Sequence, residues 1–386
     1  MKTSSLAAKP HYPVLDGLRG VAALMVVAFH LFEAHATSRF NQIINHGYLA
    51  VDFFFLLSGF VIGYAYDDRW GKMTFGTFFR RRLERLQPMV VMGMIVGAVC
   101  FYFGAGAYWP AIAQTPVWKM LLVMVIGFTM IPVPPSMDIR GWKETYPLDG
   151  PGWSLFFEYV VNILYGLFVR KFSKAVLAVL VALSAAVLVH YTVTGRGDVI
   201  GGWSLDARQL RIGFTRVLFP FFAGLLLFRV SKVRQIKNGF LWSSLLVMAV
   251  LAMPRIGGRE HLWQNGLYES FSIIFLFPLI VYLGAGGAPE SNMAKRACKF
   301  LGDISYPIYM THYPLIYIYT AWVQDNKISL GEGLPWAGLV FLSSIVLAYA
   351  CLKLYDEPVR AWLKKKAAAP AVKQISKEKS VPAEME

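Results

Sequence analysis

The chain has 386 residues, of which 56% are hydrophobic and 16% charged, and its mean hydropathy is positive, which excludes an ordinary soluble domain. A formal net charge of +15 would suggest nucleic acid as the partner of a soluble protein, but here the basic residues sit in short runs between apolar segments. That is the positive-inside pattern of a polytopic membrane protein, so the expected partner surface is the lipid bilayer and not nucleic acid.

Residues 1–20 are polar, carry Lys2, Lys9 and Arg19, and read as a cytoplasmic N-terminal segment. The first apolar run starts at Val21 and continues past His30 in LDGLRGVAALMVVAFH. Eleven residues at about 100° each make about three turns, so Arg19 and His30 share one helix face, roughly 16 Å apart along the axis. Ionisable groups inside a bilayer are costly and usually mark function, and the spacing places a cation near one surface and an imidazole near the midplane. A basic leader, a short apolar run and Ala34-His35-Ala36 imitate a signal peptide, but the His and Glu near the core and the long leader speak against it.

Apolar segments follow at 21–36, 48–66, 89–103, 118–133, 153–169, 175–193, 212–228, 240–253, 267–283, 304–323 and 336–354, all better suited to helices than to barrel strands. The basic runs at 80–85, 170–174, 229–237, 295–299 and 364–366 belong on the cytoplasmic side. Three segments lie between Arg85 and Arg170, and an odd number cannot return the chain to the same side. One of them does not span, and 118–133, which runs into Pro132-Val133-Pro134-Pro135, is the choice as a re-entrant or interfacial segment. The alternative, a half-span at 153–169, would move Glu158 relative to the membrane. The expected fold is all-α: a helical bundle of about ten transmembrane helices with both termini cytoplasmic, a membrane domain over 21–356, and a mostly disordered basic tail over 357–386.

Several polar groups interrupt the apolar runs. His30 is a candidate base, and Arg19 a cation for anionic groups or developing negative charge, although Arg19 could instead snorkel and His30 bond a neighbouring helix. Asp52 and Ser58 lie in VDFFFLLSGF, where Ser58 reads as a polar contact more readily than as a nucleophile. Arg82 and Arg85 are three apart on one helix face and suit a phosphate, while also serving topology. GPGWSLFFEY starts a helix that carries Trp153 and places Ser154 and Glu158 on one face. Arg216 enters the apolar run RVLFPFFAG, and Tyr306, Tyr309 and His312 recur at three-residue steps, a stripe that could line a sugar-sized cavity or simply pack. Cys100, Cys298 and Cys351 show no C-x-x-C spacing, so neither a disulfide framework nor a metal site is expected.

Together these motifs resemble the membrane acyltransferase family 3, which includes O-acetylases of bacterial polysaccharides. The matching stretches are the Arg19 to His30 spacing, FFFLLSGF, RRRLERLQP, WSLFFE, RVLFPFFAG, ISYPIYMTH and DEPVRAWL, in order over nearly the whole chain. The resemblance implies transfer of an acyl group, usually acetyl from cytoplasmic acetyl-CoA, to a hydroxyl of an extracytoplasmic or lipid-linked glycan, with no permanently bound cofactor. It makes His30 and Arg19 the essential pair and puts Arg82 and Arg85 near the donor. It also implies a bacterial inner-membrane location. Some relatives carry a C-terminal esterase-like domain; this chain ends without one, which raises the expectation of a separate extracytoplasmic transfer protein.

The favoured chemistry has His30 as general base, assisted by Glu158 or His312, with Asp52, Ser58, Trp153, Arg216, Tyr306 and Tyr309 toward the substrate. A covalent acyl-histidine or acyl-serine intermediate is the second mechanism. The competing function is a secondary transporter or flippase of a lipid-linked or anionic glycan, suggested by the many spans, the broken helix near Gly150 and the buried ionisable groups.

Overall fold

A computed structural model describes residues 11–366. The protein is an all-α membrane bundle, and among the described residues the only β-type pairing is a single bridge between Ile236 and Gly287. The helices are α1 (Pro13–Glu33), α2 (Ala50–Tyr66), α3 (Phe75–Cys100), α4 (Pro110–Gln114), α5 (Val117–Phe128), α6 (Gly152–Leu167), α7 (Lys174–Thr194), α8 (Ala207–Val230), α9 (Gly239–Ala252), α10 (Leu262–Phe271), α11 (Phe277–Gly286), α12 (Asn292–Thr311), α13 (Tyr313–Asn326) and α14 (Leu330–Cys351).

Seven stretches among the described residues are long and apolar enough to cross a membrane: 13–33, 47–66, 75–104, 174–194, 207–230, 262–286 and 330–366. Helix α5, with 12 residues, reaches only about 18 Å against a hydrocarbon core of about 30 Å. It ends at Phe128, ahead of the Pro132-Val133-Pro134-Pro135 run. Helix α9 is also short, with 14 residues.

Several boundaries differ from the hydropathy reading because caps and prolines, not hydropathy, end helices. Helix α1 starts at Pro13 rather than Val21, with Pro in its first turn, where a missing N–H is harmless, and Asp16 close behind. Helix α3 carries the whole RRRLERLQP stretch within its 26 residues; Thr74 caps it by accepting from the Thr77 N–H, and it continues through Pro88. The 304–323 segment is two helices. Helix α12 begins at Asn292, capped by Ser291, and breaks at His312, because Pro314 cannot donate an N–H and crowds the Met310 carbonyl. The helix after α14 continues to Lys366, so residues 357–366 are helical; the rest of the expected tail, 367–386, lies outside the described residues.

Two close crossings set the scaffold. A Cβ at Gly59 would come within 2.1 Å of the Phe221 carbonyl oxygen, and one at Gly224 within 2.0 Å of that of Leu56, so α2 and α8 touch backbone to backbone. Gly20 plays the same part between α1 and α12, where a Cβ would meet the Leu301 carbonyl oxygen at 2.4 Å. Around these crossings one apolar core gathers Phe78, Phe157 and Phe221, another Leu18, Phe53 and Phe277, and a third Val27, Ile316 and Ala348. Helices α7 and α14 turn Val179, Leu183, Leu342 and Val346 outward; exposed apolar stripes of this kind face lipid.

Candidate active site

A cavity of about 780 Å³ runs into the bundle between α1, α2, α3, α6 and α12. That volume lies in the range of sites that enclose a drug-sized ligand. Exposed and partly exposed lining residues mark its mouth: His11, Lys295, Lys299, Asp303, Glu357 and Arg360, from the start of α1, from α12 and from the end of the last helix. Deeper in, Arg19, Arg82, Arg85, Glu158 and Tyr306 line its walls, and Ser58, Ser154 and Tyr309 line it further.

The arginines differ in their partners. Arg19 donates to Asp16 Oδ1 at 2.7 Å, one turn back on the same helix. Arg82 donates to Glu158 Oε1 at 2.7 Å, and Ser58 Oγ donates to the same oxygen at 3.0 Å. Arg85 is exposed to the cavity and, among the described residues, makes no ion pair. The face shared by Arg82 and Arg85 is therefore split between a structural carboxylate and open space.

Ser154 Oγ lies 2.6 Å from the Tyr309 hydroxyl, and the Tyr306 hydroxyl donates to the Leu86 carbonyl at 2.7 Å. Beyond Tyr309, and outside the cavity lining, stand the two histidines. The His312 ring is 6.3 Å from that of Tyr309 and 5.8 Å from that of His30, tilted 30° to the latter. Tyr313 packs edge-on to His30 at 4.7 Å. His30 Nδ1 meets Glu33 Oε2 at 2.8 Å. His312 Nδ1 faces the carbonyl oxygens of Ile308 and Tyr309 at 2.8 and 3.1 Å, and its Nε2 is buried without a partner.

Asp52, Arg216 and Trp153 come together, but away from this cavity. Arg216 donates to Asp52 Oδ2 at 2.6 Å and to the Tyr48 carbonyl at 2.7 Å, and its guanidinium lies 5.1 Å from the Trp153 ring. The ion-pair side chains are 2% and 0% exposed, so they present no surface to a saccharide. Glu158, expected to assist His30, is instead held by Arg82 and Ser58.

Three groups escaped the sequence reading. Glu33 is a charge at the end of an apolar run, three residues past His30, and that spacing was the available signal. Asp149 is buried with neither carboxyl oxygen partnered, its Oδ2 lying against Gly93 of α3; nothing in its local sequence announces this. In the loop between α5 and α6, Glu144 accepts from the Tyr317 hydroxyl at 2.7 Å, while Arg140 lies 3.5 Å over the Tyr317 ring. Burial pushes the Glu144 carboxyl up to about 7 against the pull of Arg140 and of the Tyr317 hydroxyl.

Fold and site define a polytopic helical membrane protein with a charged internal cavity that stops short of a pair of neighbouring histidines, of which His312 is buried and His30 partly so. The chain belongs to the acyltransferase-3 family, whose acyltransferase domain matches residues 12–353. It is 33% identical to Protein 2 in picA locus of Rhizobium radiobacter over 190 residues, 46% of this chain and 92% of that protein. It is 22% identical to the peptidoglycan O-acetyltransferase OatA of Listeria monocytogenes over 93% of this chain and 57% of the relative. It is equally 22% identical to the O-acetyltransferase OatA of Staphylococcus aureus over 91% of this chain and 58% of that one. The chain thus spans under three fifths of the length of these O-acetyltransferases. No solved structure matches significantly.

Proposed function

We propose that this protein is a membrane O-acetyltransferase that takes an acyl group from acyl-CoA, with acetyl-CoA the expected donor, and passes it to a hydroxyl of a cell-envelope glycan. The observation that carries this reading is the cavity. Its lining carries Lys295, together with Lys299 paired to Asp303 and Arg360 paired to Asp356, holds Arg85, which makes no ion pair among the described residues, and reaches Tyr309, whose ring adjoins that of His312. By the positive-inside rule the cavity mouth is cytoplasmic, the side of the donor, and a bacterial inner membrane is the location in this reading. A donor with several phosphates suits Arg85 and Lys295. The name of the Listeria relative, a peptidoglycan O-acetyltransferase, supports a cell-wall glycan as acceptor.

In this reading the acceptor hydroxyl donates its proton to His30 Nε2 as its oxygen attacks the thioester carbonyl carbon. The C–S bond then breaks, and the proton passes from His30 to the departing thiolate, giving the ester and free CoA thiol. Arg19 helps hold the donor while remaining tethered by Asp16.

The test uses purified protein in detergent with acetyl-CoA and peptidoglycan fragments. Free thiol should appear with wild type and be lost with His30→Ala, together with the acetyl ester on the fragment. Normal ester formation by His30→Ala would sink the assignment. Movement of a lipid-linked glycan across vesicles without thioester cleavage would turn it into a transporter.

A further inference from the structure

We propose that Glu33 is the positioning residue of His30, and that it decides which of the two neighbouring histidines takes the proton. The proposal rests on the transferase reading above and deepens its site. Its observation is geometric: His30 Nδ1 stands 2.8 Å from Glu33 Oε2, one helical turn on. An ionised carboxylate only accepts, so the hydrogen is on Nδ1, and the Nε2 lone pair is left free on the other side of the ring.

His312 has the same arrangement by a different route. Its Nδ1 faces two backbone carbonyls, which also only accept, and its Nε2 is buried and unpartnered. The two rings stand 5.8 Å apart, so two imidazoles each hold an unengaged Nε2 in the same region of the bundle. Either lone pair meets the requirement of a general base, and the sequence does not separate them.

The surroundings do. When a proton arrives on Nε2, the imidazolium needs compensation on the Nδ1 side. At His30 a formal negative charge is already in hydrogen-bond contact there. At His312 there are only carbonyl dipoles, in a residue that is fully buried. Charge therefore develops at His30 with far less penalty than at His312, and His312 serves as a neutral neighbour.

A surface ion pair one turn apart is ordinarily worth little. This one differs because the His30 side chain is only 17% exposed and is walled by Tyr313 and His312, whereas Glu33 is 49% exposed. Neither histidine nor Glu33 lines the cavity, and Glu33 lies on the Nδ1 side of the His30 ring, away from the Nε2 that faces the reaction in this reading. Removal of Glu33 should act on the proton-transfer step and not on donor binding.

The experiment measures thiol release from acetyl-CoA with peptidoglycan fragments by Glu33→Gln and Glu33→Leu. The Gln side chain still offers an oxygen to Nδ1–H but no charge, and kcat should fall roughly tenfold; Leu offers neither, and kcat should fall roughly a hundredfold. KM for acetyl-CoA should stay within about twofold in both, a split that general loss of structure does not produce. The second readout is the 15N spectrum of histidine-labelled protein, with His30→Asn to assign the signal. His30 should carry its hydrogen on Nδ1 in wild type and in Glu33→Gln, and lose that preference in Glu33→Leu. Wild-type kcat in Glu33→Leu, or an unchanged His30 tautomer there, overturns this proposal alone. Absence of thiol release from wild type overturns the transferase reading and this proposal with it.

Discussion

Arg82 Nη2 stands 2.7 Å from Glu158 Oε1, joining α3 to α6 beside a cavity that the neighbouring Arg85 enters unpaired. Two arginines three residues apart thus do different work. Arg85→Ala should raise KM for acetyl-CoA tenfold or more with little change in Tm, because no partner is stranded. Arg82→Met strands a half-buried carboxylate and should lower stability by about 3 kcal/mol. The double variant Arg82→Met with Glu158→Leu should regain most of that stability, since neither charge is then left alone. Melting in detergent and donor titration separate the two effects; a Tm loss in Arg85→Ala as large as in Arg82→Met would refute the division.

His312 offers a second test of the site. His312→Phe keeps a ring of similar size against Tyr309, Tyr313 and His30 but removes the unpartnered Nε2. In the transferase reading that nitrogen, a neutral hydrogen-bond acceptor, helps orient the glycan hydroxyl while His30 takes the proton, so transfer should drop by roughly tenfold at unchanged KM for acetyl-CoA. Wild-type turnover in His312→Phe would reduce the residue to packing.

The Asp52–Arg216 pair is a structural prediction. Asp52→Asn leaves a guanidinium buried without its counter-charge and should destabilise the protein by about 3–5 kcal/mol. In the folded fraction KM for acetyl-CoA should be unchanged, because neither residue lines the cavity. A fluorescence or light-scattering melt gives the first quantity and the thiol assay the second. A KM change at unaltered Tm would return the pair to the substrate.

Glu144 makes stability depend on pH. Its carboxyl is buried with a native value of about 7 against an unfolded value of 4.5. Between these values the folded state holds a proton that the unfolded state has released, so stability is full below about pH 4.5 and declines as pH rises toward 7. The decline is roughly 3 kcal/mol for this one group. Tm compared at pH 5 and pH 7.5 should show it, and Glu144→Gln should flatten that part of the profile. A Glu144→Gln profile identical to wild type would remove the residue as its source.

Much of the site was legible before any fold was known, because lipid makes charge conspicuous. Arg19, His30, Glu158 and His312 stand out in or beside apolar runs and Arg82 and Arg85 in a basic one; the structure sets the three arginines and Glu158 around one cavity and the two histidines together outside its lining. Helix ends were read less well. Hydropathy marks where a chain is apolar, whereas Pro13, Thr74, Ser291 and Pro314 decide where helices begin and break.

What the sequence by itself determined is the class: an all-α membrane bundle, its family, and the ionisable residues that need an explanation in lipid. Partnership was decided only by tertiary structure. Asp52 and Arg216, or Arg82 and Glu158, are far apart in the chain, and each could have been a binding group until α2 met α8 and α3 met α6. The physical reason is that a buried charge must find its counter-charge across helices. Which charges pair off, and which, like Arg85, are left facing a cavity, depends on crossings set by glycines such as Gly20, Gly59 and Gly224.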